Sequence, residues 1–337
     1  MSGKRFLIIQ TAFVGDAILA SSAVSAIRLN QPEAVIDILV RSGNEGLYEQ
    51  DPRIGRVIVW EKRSNKYVHL FQTLLSVRKE QYHAVINLQR FAASGFLTAF
   101  ARAHHKVGFT KNPLSFFFTQ KIIHRISEAG ESIIHETDRI SDCLRSIGLD
   151  SKAQPEIFIP NTAEEKIAPY LKKEFITISP ASVWFTKQYP PHRWKALAQS
   201  IPCKVYLLGG KSDIGLCDEI AQNLHHVEVL AGKLSLIESA ALMKQAVMNY
   251  VNDSAPLHLC SATNAPVCAI FQSTSPTFGF GPLSTQHHCI ETDRNLDCKP
   301  CGLHGRKECP QQHFLCADIE TQALLQVLPP HLILPKK

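Results

Sequence analysis

Val251-Asn252-Asp253-Ser254-Ala255-Pro256-Leu257-His258 lies between two apolar runs. Residues 246–251 read as a short buried strand and residues 257–262 as the body of a helix. Asp253 and Ser254 are residue types favoured at helix N-caps, and Pro256 suits a first helical position. The stretch therefore predicts a strand that runs directly into a capped helix. The first N–H groups of a helix have no intrahelical partner and carry partial positive charge, so such a junction binds phosphate. Placed in the second half of a two-halved chain, it points to a diphosphate held between two domains.

Working outward, the same alternation continues on both sides. Strands are predicted at 175–179, 204–208, 227–229, 249–251 and 267–271. Helices are predicted at 163–171, 192–200, 214–224, 235–245 and 256–263. The first half repeats the pattern, with strands at 6–9, 35–40, 56–60, 84–88 and 106–109. Its helices are expected at 16–30, 67–80 (amphipathic), 91–102 and 138–147. Alternation of this kind makes parallel sheets covered by helices. A polar stretch with two prolines, residues 150–160, interrupts it. The expectation is an α/β protein of two Rossmann-like domains, residues 1–160 and 161–337, whose parallel sheets face a central cleft.

The bulk numbers agree. A chain of 337 residues suits two domains of roughly 150 each. With 45% hydrophobic and 20% charged residues it has an ordinary globular composition. A net charge of +6 tolerates an anionic ligand or surface, but no basic block or aromatic platform argues for nucleic acid. The apolar run at the N-terminus is broken by Gln10 and Asp16, so it reads as a strand and not as a signal peptide. No segment reaches the roughly 18 apolar residues of a membrane span. A cytoplasmic protein with reduced cysteines is expected.

Five places carry chemistry. Gly15-Asp16 stands where the first strand hands over to the first helix, at the sheet end where ligands bind. Asp16 either caps that helix or serves as a general base, a carboxylate that a helix N-terminus keeps ionised. Lys187 and Ser182 lie in the loop after the strand at 175–179, where a cation neutralises a diphosphate leaving group and a hydroxyl binds phosphate. Gly209-Gly210 precede Asp213, which meets a ribose or base, or simply starts a helix. Asp253 is awkward beside a diphosphate, because like charges repel; it caps backbone N–H groups or holds Lys187. No Asp-x-Asp metal clamp occurs, nor a GxGxxG fingerprint. Finally, Cys298, Cys301, Cys309 and Cys316 have a spacing that allows a structural tetrahedral zinc, against reduced free thiols.

Together these pieces resemble the ADP-heptose:lipopolysaccharide heptosyltransferases, glycosyltransferase family 9. The resemblance rests on Phe13-Val14-Gly15-Asp16-Ala17-Ile18-Leu19-Ala20, the loop from Ser182 to Lys187 with Trp194, Gly209-Gly210, Gly232-Lys233-Leu234-Ser235-Leu236, and Asn252-Asp253-Ser254 with Leu257-His258. They run in family order over residues 4–330. The resemblance implies a GT-B fold and an inverting, metal-independent transfer of heptose from ADP-heptose to the lipopolysaccharide inner core, with no cofactor required. It implies Asp16 as base and Lys187 with Ser182 as ligands of the donor diphosphate. Asp253, Ser254, Ala255 and His258 would form the donor-binding turn, with Asp213 and Leu234 near ribose and adenine. Ala255 stands where the family usually has glycine, and its methyl crowds a close approach to phosphate; Val183 follows Ser182 where a second hydroxyl is common.

Arg41, Arg63, Lys66, Arg90, Lys106 and Lys111 fall in the first half, which would receive a phosphate-bearing acceptor at the cytoplasmic face of the inner membrane. Two other readings share the two-domain shape: a nucleotide-sugar epimerase, or a transferase for another nucleotide sugar. A non-enzymatic sugar-binding protein is a third.

Overall fold

The computed structural model describes residues 3–62, 64–127, 131–150 and 152–334. Arg63 lies outside them. The chain forms two compact units, Met1–Phe158 and Ile159–Lys337. Among the described residues no helix is long and apolar enough to cross a membrane.

The first unit runs β1 (Arg5–Gln10), α1 (Val14–Leu19), α2 (Ser21–Asn30), β2 (Val35–Arg41), β3 (Ile54–Trp60), α3 (Lys66–Val77), β4 (Tyr82–Asn87), α4 (Ala92–Phe100), β5 (Ala103–Phe109), β6 (Gln120–Ile122) and α5 (Glu136–Arg145). Its six strands are parallel in the order β3-β2-β1-β4-β5-β6. The second unit runs α6 (Asn161–Ile167), β7 (Phe175–Ser179), α7 (Pro191–Gln199), β8 (Lys204–Leu207), α8 (Ile214–Ala221), β9 (Val227–Val229), α9 (Leu236–Gln245), β10 (Met248–Asn252), α10 (Ala255–Thr263), β11 (Val267–Ile270), β12 (His287–Ile290) and α11 (Thr321–Leu325). Its strand order, β12-β11-β10-β7-β8-β9, is the same topology again. Each sheet reverses its strand order once, between β1 and β4 in the first and between β7 and β10 in the second. Ligands of such sheets bind at that switch point, beyond the C-terminal strand ends.

The cores explain the strands. Ile8 pairs with Ile38 on one side and Ile86 on the other, all fully buried. Tyr250 likewise lies between Ile178 and Cys268, and its hydroxyl donates to the Leu324 carbonyl at 2.8 Å. Strands buried on both faces read as continuous apolar runs, which made them visible in the sequence. The edge strands β6 and β12 were not expected. Gln120-Lys121-Ile122 and His287-His288-Cys289-Ile290 are short and polar, as edges are.

The expected helix at 16–30 is two helices meeting at Ala20. There the Ser21 and Ser22 hydroxyls donate to the Ile18 and Leu19 carbonyls at 2.6 and 2.8 Å, offering the backbone an alternative to a continuous ladder. The helix expected to be amphipathic, α3, has a buried stripe, but its solvent side is not wholly polar. Leu70, Leu74 and Val77 bury one side, but Tyr67, Val68, Phe71 and Leu75 occupy the solvent side.

Candidate active site

In the second unit, the chain leaves β7 at Ser179 and β10 at Asn252, the two strands of the switch point. Asn252 is fully buried and ties the two exits together. Its amide donates to the Pro180 carbonyl at 2.7 Å, and its oxygen accepts the Tyr189 N–H at 3.0 Å. This fixes the 180–189 loop against the start of α10. The Lys187 ammonium then reaches the Asp253 carboxylate at 2.6 Å, which also accepts the Thr274 hydroxyl at 2.6 Å. Asp253 therefore holds Lys187 and does not cap the helix.

Ser254 takes the N-cap position of α10 without a side-chain cap; its hydroxyl faces the Asn252 carbonyl at 3.4 Å. Pro256 brings no N–H, and Leu257 bonds the Ser254 carbonyl at 3.1 Å. Ala255 is left as the first helical N–H, without an intrahelical partner. The phosphate site foreseen at this turn is thus narrower than a free first turn.

Beside it opens a pocket of about 610 Å³. It gathers Ser182, Asp213, Leu234, Ser254 and Ala255. Lys187, Asp253 and His258 do not line it. His258 is buried in α10, edge-on to Phe280 with ring centroids 6.2 Å apart. Asp213 has its carboxylate engaged locally: it accepts the Gly210 N–H at 2.8 Å and the Ser212 hydroxyl at 3.0 Å, the helix-start role. Two of the lining residues without a site role in the sequence reading are polar and informative, Ser179 and Ser235. Ser179 is 2% exposed, and its hydroxyl has no hydrogen-bond partner among the described residues. A buried donor left unmatched in a pocket wall is a polar contact waiting for a ligand. Ser235 caps α9 reciprocally with Glu238, at 3.2 and 2.6 Å. Its Ser-x-x-Glu spacing is a readable signature.

The cysteine-rich segment packs onto this loop. Gly305 approaches so closely that a Cβ there would lie 2.5 Å from Trp184 Cβ and 2.9 Å from Lys187 Cγ. Arg306 and Thr186 exchange backbone and hydroxyl bonds at 3.1 and 2.8 Å. The zinc expectation gains no support from the side-chain placement. Among the described residues no group of three or more His, Cys, Asp or Glu side chains is placed to hold a metal ion. Cys301 Sγ turns to the Cys298 carbonyl at 3.3 Å, and Cys298 Sγ lies 3.9 Å from His313 Nε2. Cys316 is buried, and burial pushes its thiol up to about 11. Cys309 is a free thiol like the others. The segment's visible work is to seat Lys187.

In the first unit, α1 begins at Val14, with Phe13 as N-cap. Asp16 is therefore the third helical residue, not the cap, and is half-buried at the end of β1. Across the switch point the Thr11 hydroxyl donates to Gln89 Oε1 at 2.6 Å. Lys62, overlooked in the sequence, donates to the Thr11 carbonyl at 2.5 Å and stands over the Trp60 ring at 4.5 Å. Burial, then the Arg41 and Lys66 charges, lower its ammonium to about 8. Behind Asp16 lies Glu136, pushed up to about 7 chiefly by burial, with the Asp16 charge adding to the rise and Arg139, at 2.9 Å, opposing it. His124 sits 3.8 Å from Glu136; burial, then Arg90, Arg139 and Lys111, hold it down to about 4. Arg41 stacks over Phe13 at 5.5 Å. Lys66 and Lys111 are exposed, and Lys106 is committed to the Ala99 carbonyl at 2.5 Å.

The sequence profile of glycosyltransferase family 9 (heptosyltransferase) matches residues 70–313. Lipopolysaccharide heptosyltransferase 3 of Escherichia coli is 24% identical over 284 residues, covering 79% of this chain and 83% of its own. The solved family 9 glycosyltransferase of Veillonella parvula superposes with a TM-score of 0.78 at 20% identity, covering 96% of this chain and 95% of that one. The E. coli heptosyltransferase WaaC, solved with ADP, gives 0.69 at 21% identity, covering 85% and 93%.

Proposed function

The chain belongs to glycosyltransferase family 9, the heptosyltransferases, and on that premise we propose that it moves a heptose from ADP-heptose to the inner core of lipopolysaccharide. The observation that carries the proposal is the Lys187–Asp253 pair at the second switch point, beside a pocket walled by Ser179, Ser182 and Ser254. The pocket is of a size that suits a nucleotide. Apolar Leu234 and Met243 suit a base, and the serines suit a ribose and phosphates.

The reaction is read as an inverting single displacement. An acceptor hydroxyl attacks the anomeric carbon while the bond from that carbon to the diphosphate oxygen breaks. Asp16 takes the hydroxyl proton, and Lys187 meets the charge on the departing ADP. Neither step calls for a metal ion. The second unit would bind the donor, with Ser182, Ser254 and the Ala255 N–H on phosphate, Leu234 and Asp213 toward the nucleoside, and Asp253 and His258 beneath. The first unit would receive the acceptor, at the cytoplasmic face of the inner membrane.

Thermal melts with ADP-, GDP- and UDP-sugars test the donor. At about 100 times Kd, ADP-heptose should raise Tm by roughly 5 °C, and the others should not. Stabilisation by a UDP- or GDP-sugar alone would replace the donor. Lys62 gives a second test. Its ammonium loses its proton as pH rises through about 8. A phosphate-bearing acceptor should then bind more weakly, raising its KM above that pH while the donor KM stays level. Lys62→Arg, charged throughout, should flatten the acceptor profile; an unchanged rise would remove Lys62 from acceptor binding.

A further inference from the structure

The connections β3→α3→β4 and β4→α4→β5 step the same way along the first sheet, so right-handed crossovers put α3 and α4 on one face. Their outer side is unusual. Tyr67, Phe71 and Leu75, spaced four apart, form one stripe of α3, and each is at least half exposed. At the far end of the helix the Arg78 guanidinium donates to the Phe100 carbonyl at 2.6 Å, joining α3 to α4. From there rings continue outward: Phe96 to Phe100 at 5.0 Å, Phe100 to Phe117 at 5.9 Å, Phe117 to Phe116 at 4.2 Å. Phe116 is 65% exposed. Exposed apolar side chains gathered on one face in this way mark an interaction site.

The chain that carries it is rich in cations. Residues 62–127 carry eleven Lys and Arg and a single carboxylate, Glu80. Glu80 is itself paired with Arg5 at 3.0 Å. Lys66, Arg78, Lys79, Arg102 and Lys121 are exposed. Aromatic and aliphatic side chains accompanied by an excess of cations complement an anionic lipid surface: the rings enter the headgroup boundary and the cations meet phosphates. A water-soluble protein partner would more often present its own mixture of charges.

We infer that the outer α3–α4 face of the first unit, with Phe116 and Phe117, docks onto an anionic phospholipid bilayer. The surface is argued from its own residues; only its purpose, bringing the enzyme to a lipid-anchored acceptor, rests on the function proposed above. The test uses the full chain and vesicles that contain no lipopolysaccharide, so it is independent of donor and acceptor identity. The protein should co-sediment with vesicles of phosphatidylglycerol and phosphatidylethanolamine, and far less with phosphatidylcholine. Phe71→Ser with Leu75→Ser should weaken binding at least about tenfold. Lys79→Glu with Lys121→Glu should do the same, at roughly fivefold or more per charge. Both variants should melt like the parent and keep transfer to a soluble acceptor fragment. Wild-type protein that ignores anionic vesicles, or variants that bind them undiminished, would overturn the inference. So would a solution dimer that Phe71→Ser with Leu75→Ser turns into monomer, because a second copy would then cover this face.

Discussion

Asp16→Asn is expected to lower kcat by about 10²- to 10⁴-fold, the usual yield of a positioned general base. That is on the order of 3–5 kcal/mol of transition-state stabilisation. The substitution keeps size and removes the negative charge and, with it, the proton acceptor. As the third residue of α1, Asp16 gives the helix dipole a charge worth about half a kcal/mol, so folding should barely change. ADP affinity should stay within about twofold, because the pocket is built wholly of second-unit residues. Calorimetric titration with ADP beside steady-state kinetics separates the two effects. A second readout comes from Glu136. Asp16 is one of the charges that raise its carboxyl, so Glu136 should titrate below about 7 in the variant. Transfer at the parental rate by Asp16→Asn would end the assignment.

What the sequence made legible follows from burial. Strands such as 175–179 and 249–251 are buried on both faces and mostly apolar or β-branched, so their identity survives without knowledge of neighbours. The junction at 251–258 was legible for the same reason, as a buried strand followed by helix-starting residues. What the sequence could not reveal is how side chains spend their hydrogen bonds. Asp253 has the chemistry of an N-cap, yet Lys187 and Thr274 claim its carboxylate, and those partners arrive from 66 and 21 residues away. Lys106 resembled a free surface cation until the end of α4 was found to accept its ammonium. Four cysteines in nineteen residues suggested a metal, whereas the segment reaches Lys187 through a glycine, Gly305, that composition gives no reason to notice. The apolar side chains on the solvent side of α3 were not legible, because periodicity locates a buried stripe and says nothing of what the opposite side carries.

Lys187→Ala is expected to lower kcat/KM by about 10²- to 10³-fold, as the loss of one group that meets developing charge usually does. The same substitution also strands a carboxylate. Lys187 and Asp253 side chains are 14% and 7% exposed, so water screens the pair little. Breaking such a pair costs about 3–5 kcal/mol of stability. A drop in activity by Lys187→Ala alone would therefore be ambiguous between chemistry and folding. Asp253→Asn resolves it. Asparagine still accepts the Thr274 hydroxyl but carries no charge, so Lys187→Ala with Asp253→Asn should recover most of the lost stability in urea unfolding. Transfer should not recover, because the ammonium is still missing. Asp253→Asn alone should keep the ammonium and remove the carboxylate that repels a diphosphate, so its KM for the nucleotide sugar should hold or fall. Were the double variant to transfer heptose at the parental rate, Lys187 would be only the counter-ion of Asp253. The leaving group would then depend on the start of α10, where Ala255 contributes the one helical N–H without an intrahelical partner and Pro256 contributes none.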